Sequence, residues 1–213
     1  ALAALPQSEF VAAFDVDQAR ADAFGQRYGV KGYADLEEMI DDAGVQAICV
    51  CTPHPTHSDV IVRSAAKGVN TLVEKPLSSD LADADRAINA ARSAGVKLGV
   101  VSQRRLYPPV ARMEQAIADG KLGQPILGTL VVMGWRDEAY SQSDPWRGSW
   151  KAEGGGVLVN QTPHQLVILQ WLMDSDIDEL YGYWENFNHP YVEIEDTAVA
   201  VLRFKSGGIG QIL

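Results

Sequence analysis

The chain has 213 residues, 46% of them hydrophobic and 22% charged, a balance that supports a packed core and excludes disordered and collagen-like chains. Eighteen Lys plus Arg against twenty-eight Asp plus Glu leave a formal charge of −10 at pH 7, the wrong sign for a groove that binds phosphate backbones, so no nucleic-acid partner is expected. No window approaches the roughly 18 consecutive apolar residues of a membrane span, and the first residues lack the basic start of a signal peptide, so no membrane partner is expected either.

Ala1 to Leu5 reads as the last turns of a helix stopped by Pro6, because proline disfavours helix in the residue before it. With Gly210 to Leu213 reading as the middle of a strand, the chain is expected to be a piece lacking both ends. Phe10 to Phe14 predicts a strand. Asp17 then caps a helix reaching Tyr28, and Gly29 stops it. Asp35 and Glu38 have the spacing of a capping box and predict a short helix. Val45 to Cys51 is a continuous apolar strand, His57 to Lys67 a helix ending at Gly68, and Val69 to Val73 the next strand. Ser79 to Ala94 is a helix closed by Gly95, followed by a strand over Val96 to Val101. Strands apolar on both sides and separated by helices imply a parallel sheet of the doubly wound, Rossmann-like kind. Cys49 and Cys51 alternate around Val50, which places both on one strand face rather than in a metal loop; they are expected to be small buried hydrophobes in a reducing, cytoplasmic compartment, and no metal site is expected.

After Pro108-Pro109 and a helix to Asp119 the pattern changes. Ile126 to Trp135, Leu180 to Phe187 and Asp196 to Phe204 are β-rich, and Ser206-Gly207-Gly208 is a turn before a strand at Ile209. The expected architecture is therefore α/β: an incomplete Rossmann-like domain over residues 1–105, lacking its first strand and glycine loop, and over 106–213 an α+β domain with a mostly antiparallel sheet, truncated at its end.

Several places could carry chemistry. Asp15 follows the strand that ends at Phe14, where Rossmann units place the carboxylate that binds the adenosine ribose; it could also simply precede the Asp17 cap. Thr52-Pro53 through His57 follow the strand ending at Cys51, at the sheet edge where such folds bind ligands, or form only a stiff loop. Glu74-Lys75-Pro76 lies at the same edge, with a Lys beside a carboxylate and a rigid proline, although a Lys at a strand end is commonly just solvated. Gly154-Gly155-Gly156 leads through Asn160 to Thr162-Pro163-His164. Thr162 as cap and Pro163 as first residue start a helix bearing Leu166, Leu169 and Met173, which puts His164 in the first turn, where the positive end of the helix dipole disfavours imidazolium. A half-buried structural histidine is the alternative. Trp146, Arg147 and Trp150 precede the glycine run and suit stacking on a sugar face and holding its hydroxyls or an acidic substituent, or serve packing; Arg104 could reach the same place or be surface charge.

These segments together resemble the glucose-fructose oxidoreductase, inositol dehydrogenase and rhizopine-catabolism group, the Gfo/Idh/MocA family. The resemblance rests on Asp15, Thr52-Pro53 to His57, Glu74-Lys75-Pro76, Gly154 to His164 and Glu195-Asp196-Thr197-Ala198, in the family's order, and covers nearly the whole chain. It implies an NAD(P)-dependent oxidoreductase that moves a hydride between nicotinamide and a carbinol carbon of a sugar, cyclitol or polyol. It places cofactor contacts at Asp15, Thr52, Pro53, His57, Glu74 and Lys75, catalytic roles on Lys75, His164 and Asn160, and substrate contacts at Arg104, Trp146, Arg147, Trp150, Asn160 and His164. The family often has Asp where this chain has Asn160 and where it has Val167. Asn160 cannot act as a base, which leaves the proton to His164, with Lys75 polarising the oxygen; Asn160→Asp is expected to retain or raise activity.

The Asp15 carboxylate predicts NAD over NADP, since it would repel a 2′-phosphate. Family members commonly form dimers or tetramers through the sheet of the second domain, and the alternation of Ala198, Ala200 and Leu202 with Val199 and Val201 suggests that both faces of that strand are covered. Two other functions remain open, an NAD-dependent glycosidase of the same fold and a non-catalytic dinucleotide-binding regulator. Glu74-Lys75-Pro76 argues against the first and the presence of both Lys75 and His164 against the second.

Overall fold

The computed structural model describes residues 2–213. The turn expected ahead of Pro6 is a 3-10 turn over Leu2–Ala4; Ala1, part of the same expectation, lies outside the described residues. Packing divides the chain into two units. The first holds the segments up to Thr52, Thr56–Glu74 and Leu81–Val100; the second holds Pro53–Pro55, Lys75–Asp80 and Val101–Leu213. Two short stretches that immediately follow strands of the first unit thus pack with the second.

In the first unit β1 (Ala12–Phe14), α1 (Gln18–Tyr28) and β2 (Lys31–Tyr33) form a parallel β-α-β turn, followed by α2 (Leu36–Ala43). The helix ends follow local chemistry. Asp17 accepts from the Ala19 N–H at 2.9 Å, Asp35 accepts from the Glu38 N–H at 2.8 Å, and Gly29 ends α1 at φ 71°. Strand β2 was not legible in the sequence, because Lys31-Gly32-Tyr33 carries one apolar side chain. Its glycine is required by close approach: a Cβ on Gly32 would lie 2.5 Å from the Ala21 carbonyl of α1.

A second parallel sheet has the order β3-β4-β5, with β3 Ala47–Val50, β4 Asn70–Val73 and β5 Leu98–Val100. Helices α3 (His57–Ala66) and α4 (Leu81–Ala94) connect these strands, as expected of a Rossmann-like unit. They lie close together through small residues, since Ser64, Ala65, Ala87 and Ala91 are all buried. Ile48, Val50, Thr71 and Val73 share one sheet face, and the last three of them are buried.

The opposite face corrects one expectation. Cys49 and Cys51 do share a side of the chain, but both are free and exposed rather than buried, and Leu72, the lateral neighbour of Cys49, is exposed as well. No described helix covers that side. Partial desolvation raises both thiols above their ordinary pKa, with the Glu74 carboxylate adding to the effect at Cys51, so neither is a reactive thiolate at neutral pH.

The second unit opens with α5 (Pro108–Ala118), whose leading prolines occupy helix positions that need no N–H donor. Its sheet has the order β6-β9-β8-β7, with β6 Leu127–Leu130, β7 Ile177–Glu185, β8 Thr197–Phe204 and β9 Ile209–Ile212. The β7-β8 and β8-β9 pairs are antiparallel and β6-β9 is parallel, so the sheet is mixed. Two single-turn helices, α6 (Glu138–Ser141) and α7 (Trp150–Glu153), precede the long helix α8 (Pro163–Leu172). Leu169 of α8 and Met173 just beyond it pack on Leu130, Leu202, Phe204 and Ile212 of the inner sheet face. The outer face is bare. Tyr181, Tyr183, Val199 and Val201 lie on it, with Val201 57% exposed, so within this chain β8 is covered on one side only and not on both. Among the described residues no helix is long and apolar enough to cross a membrane.

Candidate active site

Ser149 caps α7, its hydroxyl oxygen accepting from the Ala152 N–H, and the helix ends at Glu153 just before the three glycines. The glycine run is fastened from the far side of the sequence. The Glu195 carboxylate accepts from the Gly156 N–H at 2.7 Å and the Leu158 N–H at 2.9 Å, while the Val157 N–H donates to the Glu195 carbonyl at 3.0 Å. The chain then makes a π turn over Val157–Gln161, and Thr162 separates it from α8.

Thr162 precedes α8 as expected, but its side chain does not cap the helix. Thr162 is itself helical (φ −77°, ψ −21°), and its hydroxyl donates back to the Val157 carbonyl instead of capping α8. The Gly156 and Leu158 N–H groups at the start of the π turn are taken by the Glu195 carboxylate. Pro163 is the first residue of α8, as expected, and His164 beside it is buried.

Lys75 reaches this segment. Its Nζ donates to the Asn160 carbonyl at 2.6 Å and to Asn160 Oδ1 at 3.0 Å, joining residues 85 apart in sequence. The other end of the Asn160 amide, Nδ2, donates to Glu153 Oε1, and Glu153 Oε2 accepts from the Gly148 N–H at 2.7 Å. Lys75, Asn160 and Glu153 thus form one continuous chain. The arrangement fixes the amide's orientation, because its oxygen faces an ammonium and its nitrogen faces a carboxylate.

Asn160, Glu153 and Glu195 also border a cavity of about 60 Å³, together with Tyr140, Arg147 and His189. The Arg147 guanidinium lies 4.3 Å from the ring centres of both Trp146 and Tyr140 and donates to the Tyr140 hydroxyl at 2.8 Å. Trp146 in turn stacks on His54 at 4.4 Å, which accounts for the Pro53–Pro55 segment packing with this unit. Trp150 stands apart from that group and packs on Trp184 of β7 at 5.0 Å. Arg104 lies on the α8 side, its Nη1 donating to the Gln165 side-chain oxygen, while Arg105 stacks on Trp171.

The remaining candidates belong to the first unit, apart from Pro53. Asp15 follows β1, half-buried, with Oδ1 accepting from the Asp17 N–H at 2.9 Å. Thr52 follows β3, and its Oγ1 accepts from Thr56. His57 is 0% exposed, with Nε2 2.8 Å from the Thr52 carbonyl oxygen; its ring shapes the loop and is not presented to a ligand. Glu74 extends β4 by one rung, its N–H donating to the Val50 carbonyl.

One further carboxylate organises the second unit. Burial alone would raise the Asp196 pKa, but hydrogen bonds from His189, the Phe187 N–H, the Thr197 hydroxyl and the Asn188 N–H outweigh it and hold the group well below the usual carboxylate range. A carboxyl with a depressed folded-state pKa contributes stability that is present above its unfolded value and is lost as pH falls through that value towards the folded one. Asp196→Asn is therefore expected to lower Tm at neutral pH, and the gap to the unmodified protein should narrow below about pH 4. Thermal unfolding across that range checks it; a gap independent of pH would show that the charge is not what matters.

Comparison with known proteins assigns both units to one group. Residues 1–102 match the family model described as an oxidoreductase family with an NAD-binding Rossmann fold, and residues 110–213 match that of the GFO/IDH/MocA C-terminal domain. The chain belongs to the GFO/IDH/MocA oxidoreductase family. Among the relatives of this GFO/IDH/MocA chain, myo-inositol 2-dehydrogenase of Thermotoga maritima is 32% identical over 93% of the chain and 58% of its own length. The scyllo-inositol 2-dehydrogenase (NAD(+)) of Bacillus subtilis is 26% identical over 98% of the chain and 60% of its own length. The crystal structure of the WlbA dehydrogenase of Bordetella pertussis in complex with NADH and UDP-GlcNAcA superposes with a TM-score of 0.89 at 29% identity, covering 96% of this chain and 63% of that one. The chain thus spans about three fifths of the length of the relatives it matches.

Three residues of this GFO/IDH/MocA site escape sequence reasoning. Glu195 lies within a recognised motif, but its role depends on a contact spanning 39 positions. His54 carries no mark in the sequence that sets it above His57. Glu153 directly precedes the glycine run, and the usable signal is an acidic residue next to glycines that imply a close approach of backbone.

Proposed function

We propose that this chain serves an NAD-dependent dehydrogenase acting on a carbinol carbon of a sugar, cyclitol or related polyol, with residues 1–105 holding the dinucleotide and residues 106–213 holding the substrate. The observation that supports this reading is the Lys75 ammonium fixed by both oxygens of Asn160, four residues before a buried His164. Inositol and nucleotide-sugar ligands in the names of its relatives point to the same substrate class.

Asp15 fits the cofactor. It directly follows a parallel strand, and among the described residues its Oδ2 makes no hydrogen bond, which leaves an acceptor for ribose hydroxyls. Thr52, Pro53 and Glu74 follow the carboxyl ends of β3 and β4, where ligands of such sheets bind. Bound nicotinamide supplies the hydride acceptor or donor. The protein's own part is proton chemistry and orientation: His164 takes the hydroxyl proton, and Lys75, two of whose N–H bonds are directed at Asn160, stabilises the developing alkoxide. Arg147 borders the cavity and offers hydrogen-bond donors to the sugar ring, while Trp146, packed against His54 and the Arg147 guanidinium, supports it.

The test is NAD reduction by the full-length protein against a panel of inositols and sugars, with aryl glycosides as a second arm. Polyol oxidation is expected. Cleavage of aryl glycosides without net reduction would favour the glycosidase reading, and neither activity would favour a regulator. Catalytic efficiency with NAD is expected to exceed that with NADP, since a 2′-phosphate beside Asp15 is repelled; equal efficiency would overturn that assignment.

The bare outer sheet face supports a homodimer or homotetramer. Tyr181, Tyr183, Val199 and Val201 form a contiguous, largely apolar strip that single chains rarely leave in water. Val201→Lys is expected to shift the full-length protein towards monomer in sedimentation at micromolar concentration; an unmodified protein already monomeric there would remove the proposal.

A further inference from the structure

The Lys75–Asn160–Glu153 chain contains a charge that the proton chemistry above does not use. Glu153 is 3% exposed, and among the described residues it forms no ion pair. Its hydrogen bonds come from two neutral donors, the Gly148 N–H and the Asn160 amide. Burying an ionised carboxylate without a touching cation is costly, so the nearest cation along its hydrogen bonds becomes the natural counter-charge. That cation is Lys75, one amide away. Both Glu153 oxygens accept, so the carboxylate has no ambiguity of orientation to pass on, and the amide between it and Lys75 is locked in one of its two flips.

We propose that Glu153 is a positioning residue for Lys75: acting through the Asn160 amide, it aims that amide's oxygen at Lys75 and keeps the ammonium charged at neutral pH. The inference rests on the dehydrogenase reading for its kinetic consequence but not for its electrostatic one. Other titratable and charged groups lie on the same segments, and the test must separate Glu153 from them. Glu74 precedes it in the chain and Asp80 ends its segment; Lys151 is exposed on α7; Arg147 is engaged by Tyr140 and Asp144; Glu195 is spent on the Gly156 and Leu158 N–H groups; and His164 is buried on α8.

The test is Glu153→Gln in the full-length protein, read in two ways. A carboxamide has one acceptor oxygen, so it cannot serve both the Gly148 N–H and Asn160 Nδ2, and the negative charge is gone. First, the pH dependence of Lys75 acylation by a small amine reagent, followed by mass spectrometry of the Lys75 peptide, needs no substrate. Its midpoint is expected to move down by about half a pH unit or more. Second, with an oxidisable polyol, kcat is expected to fall about tenfold or more while KM changes little, and the alkaline limb of the kcat profile should move down with the acylation midpoint.

Adding Asn160→Asp to Glu153→Gln returns the charge one position closer to Lys75, with the carboxamide introduced by the first substitution donating to it, and is expected to restore the midpoint. A Glu153→Gln protein with lowered kcat but unmoved midpoint and limb would reduce Glu153 to a structural brace and overturn the proposal, as would failure of the double variant to restore the midpoint. If Glu153→Gln does not fold, the unmodified protein decides: Lys75 must label with a midpoint well above neutrality, towards the ordinary lysine value of about 10.4, and labelling as a neutral amine near pH 7 overturns the proposal. Absence of polyol oxidation by the unmodified protein would sink the dehydrogenase reading alone, because the labelling result stands without it.

Discussion

Lys75→Met is expected to lower kcat of the full-length protein by about two orders of magnitude or more, with far less change in the affinity for cofactor. The ammonium is held at 2.6 and 3.0 Å by the two oxygens of a single asparagine, so its position is set before substrate arrives and no reorganisation is needed as charge develops on the substrate oxygen. Met keeps the length and apolar stem of Lys while removing the charge and all three donors, which separates electrostatics from packing. Loss of the ammonium also leaves Asn160 Oδ1 and the Asn160 carbonyl without these donors, which adds to the cost. His164→Ala is expected to fall by a similar factor and to lose the acid limb of the pH profile, because it removes the proposed base and not the cation. Steady-state kinetics of the two variants with NAD and one accepted polyol check both. A Lys75→Met enzyme within about threefold of the unmodified kcat would remove the lysine from the chemistry, and an unchanged profile for His164→Ala would pass the role of base to a neutral Lys75.

The reach of sequence reasoning followed the range of the interactions. Asp17, Gly29 and Asp35 were legible because caps are contacts between residues about two to five apart, fixed by the local chain. Strands read from the sequence run too long at their ends, Val45 to Cys51 against Ala47–Val50, because apolar residues continue past the last rung of a ladder. β2 left no apolar pattern, since what selects Gly32 is the backbone of α1. The exposure of Cys49 and Cys51 depends on what lies over a sheet face, which alternation within one strand cannot report. Lys75 and His164 stood out by residue type and place, whereas the partners of the glycine segment did not. Glu153 and Glu195 act on backbone N–H groups, and a backbone donor carries no signature in the residue that owns it. The same limit applies to Thr162, which stands at the helix start read from the sequence but spends its hydroxyl on the Val157 carbonyl and not on a cap.

Gly156→Ala is expected to lower stability by about 3 kcal/mol or more, the largest effect anticipated for any single methyl in the second unit. A Cβ at this position would lie 1.8 Å from the Glu195 carbonyl oxygen, against backbone on both sides that no rotamer change can relieve. The two strands of chain must separate, and the contacts that suffer are the three that fasten the glycine run: Val157 N–H to the Glu195 carbonyl, and the Gly156 and Leu158 N–H groups to the Glu195 carboxylate. Each buried group left unpaired costs about 1–3 kcal/mol, and for a chain of this size 1 kcal/mol moves Tm by about 2–4 °C, so a fall of about 6 °C or more is expected. Gly207→Ala is the control. It has φ 89° but nothing within 4 Å of its Cβ, so only the backbone penalty of about 1 kcal/mol applies. Thermal unfolding of both variants separates the two sources of cost. If Gly156→Ala fell no further than Gly207→Ala, the close approach of Glu195 would not be what fixes the glycine segment, and the placement of Asn160 at the end of that segment would need another cause.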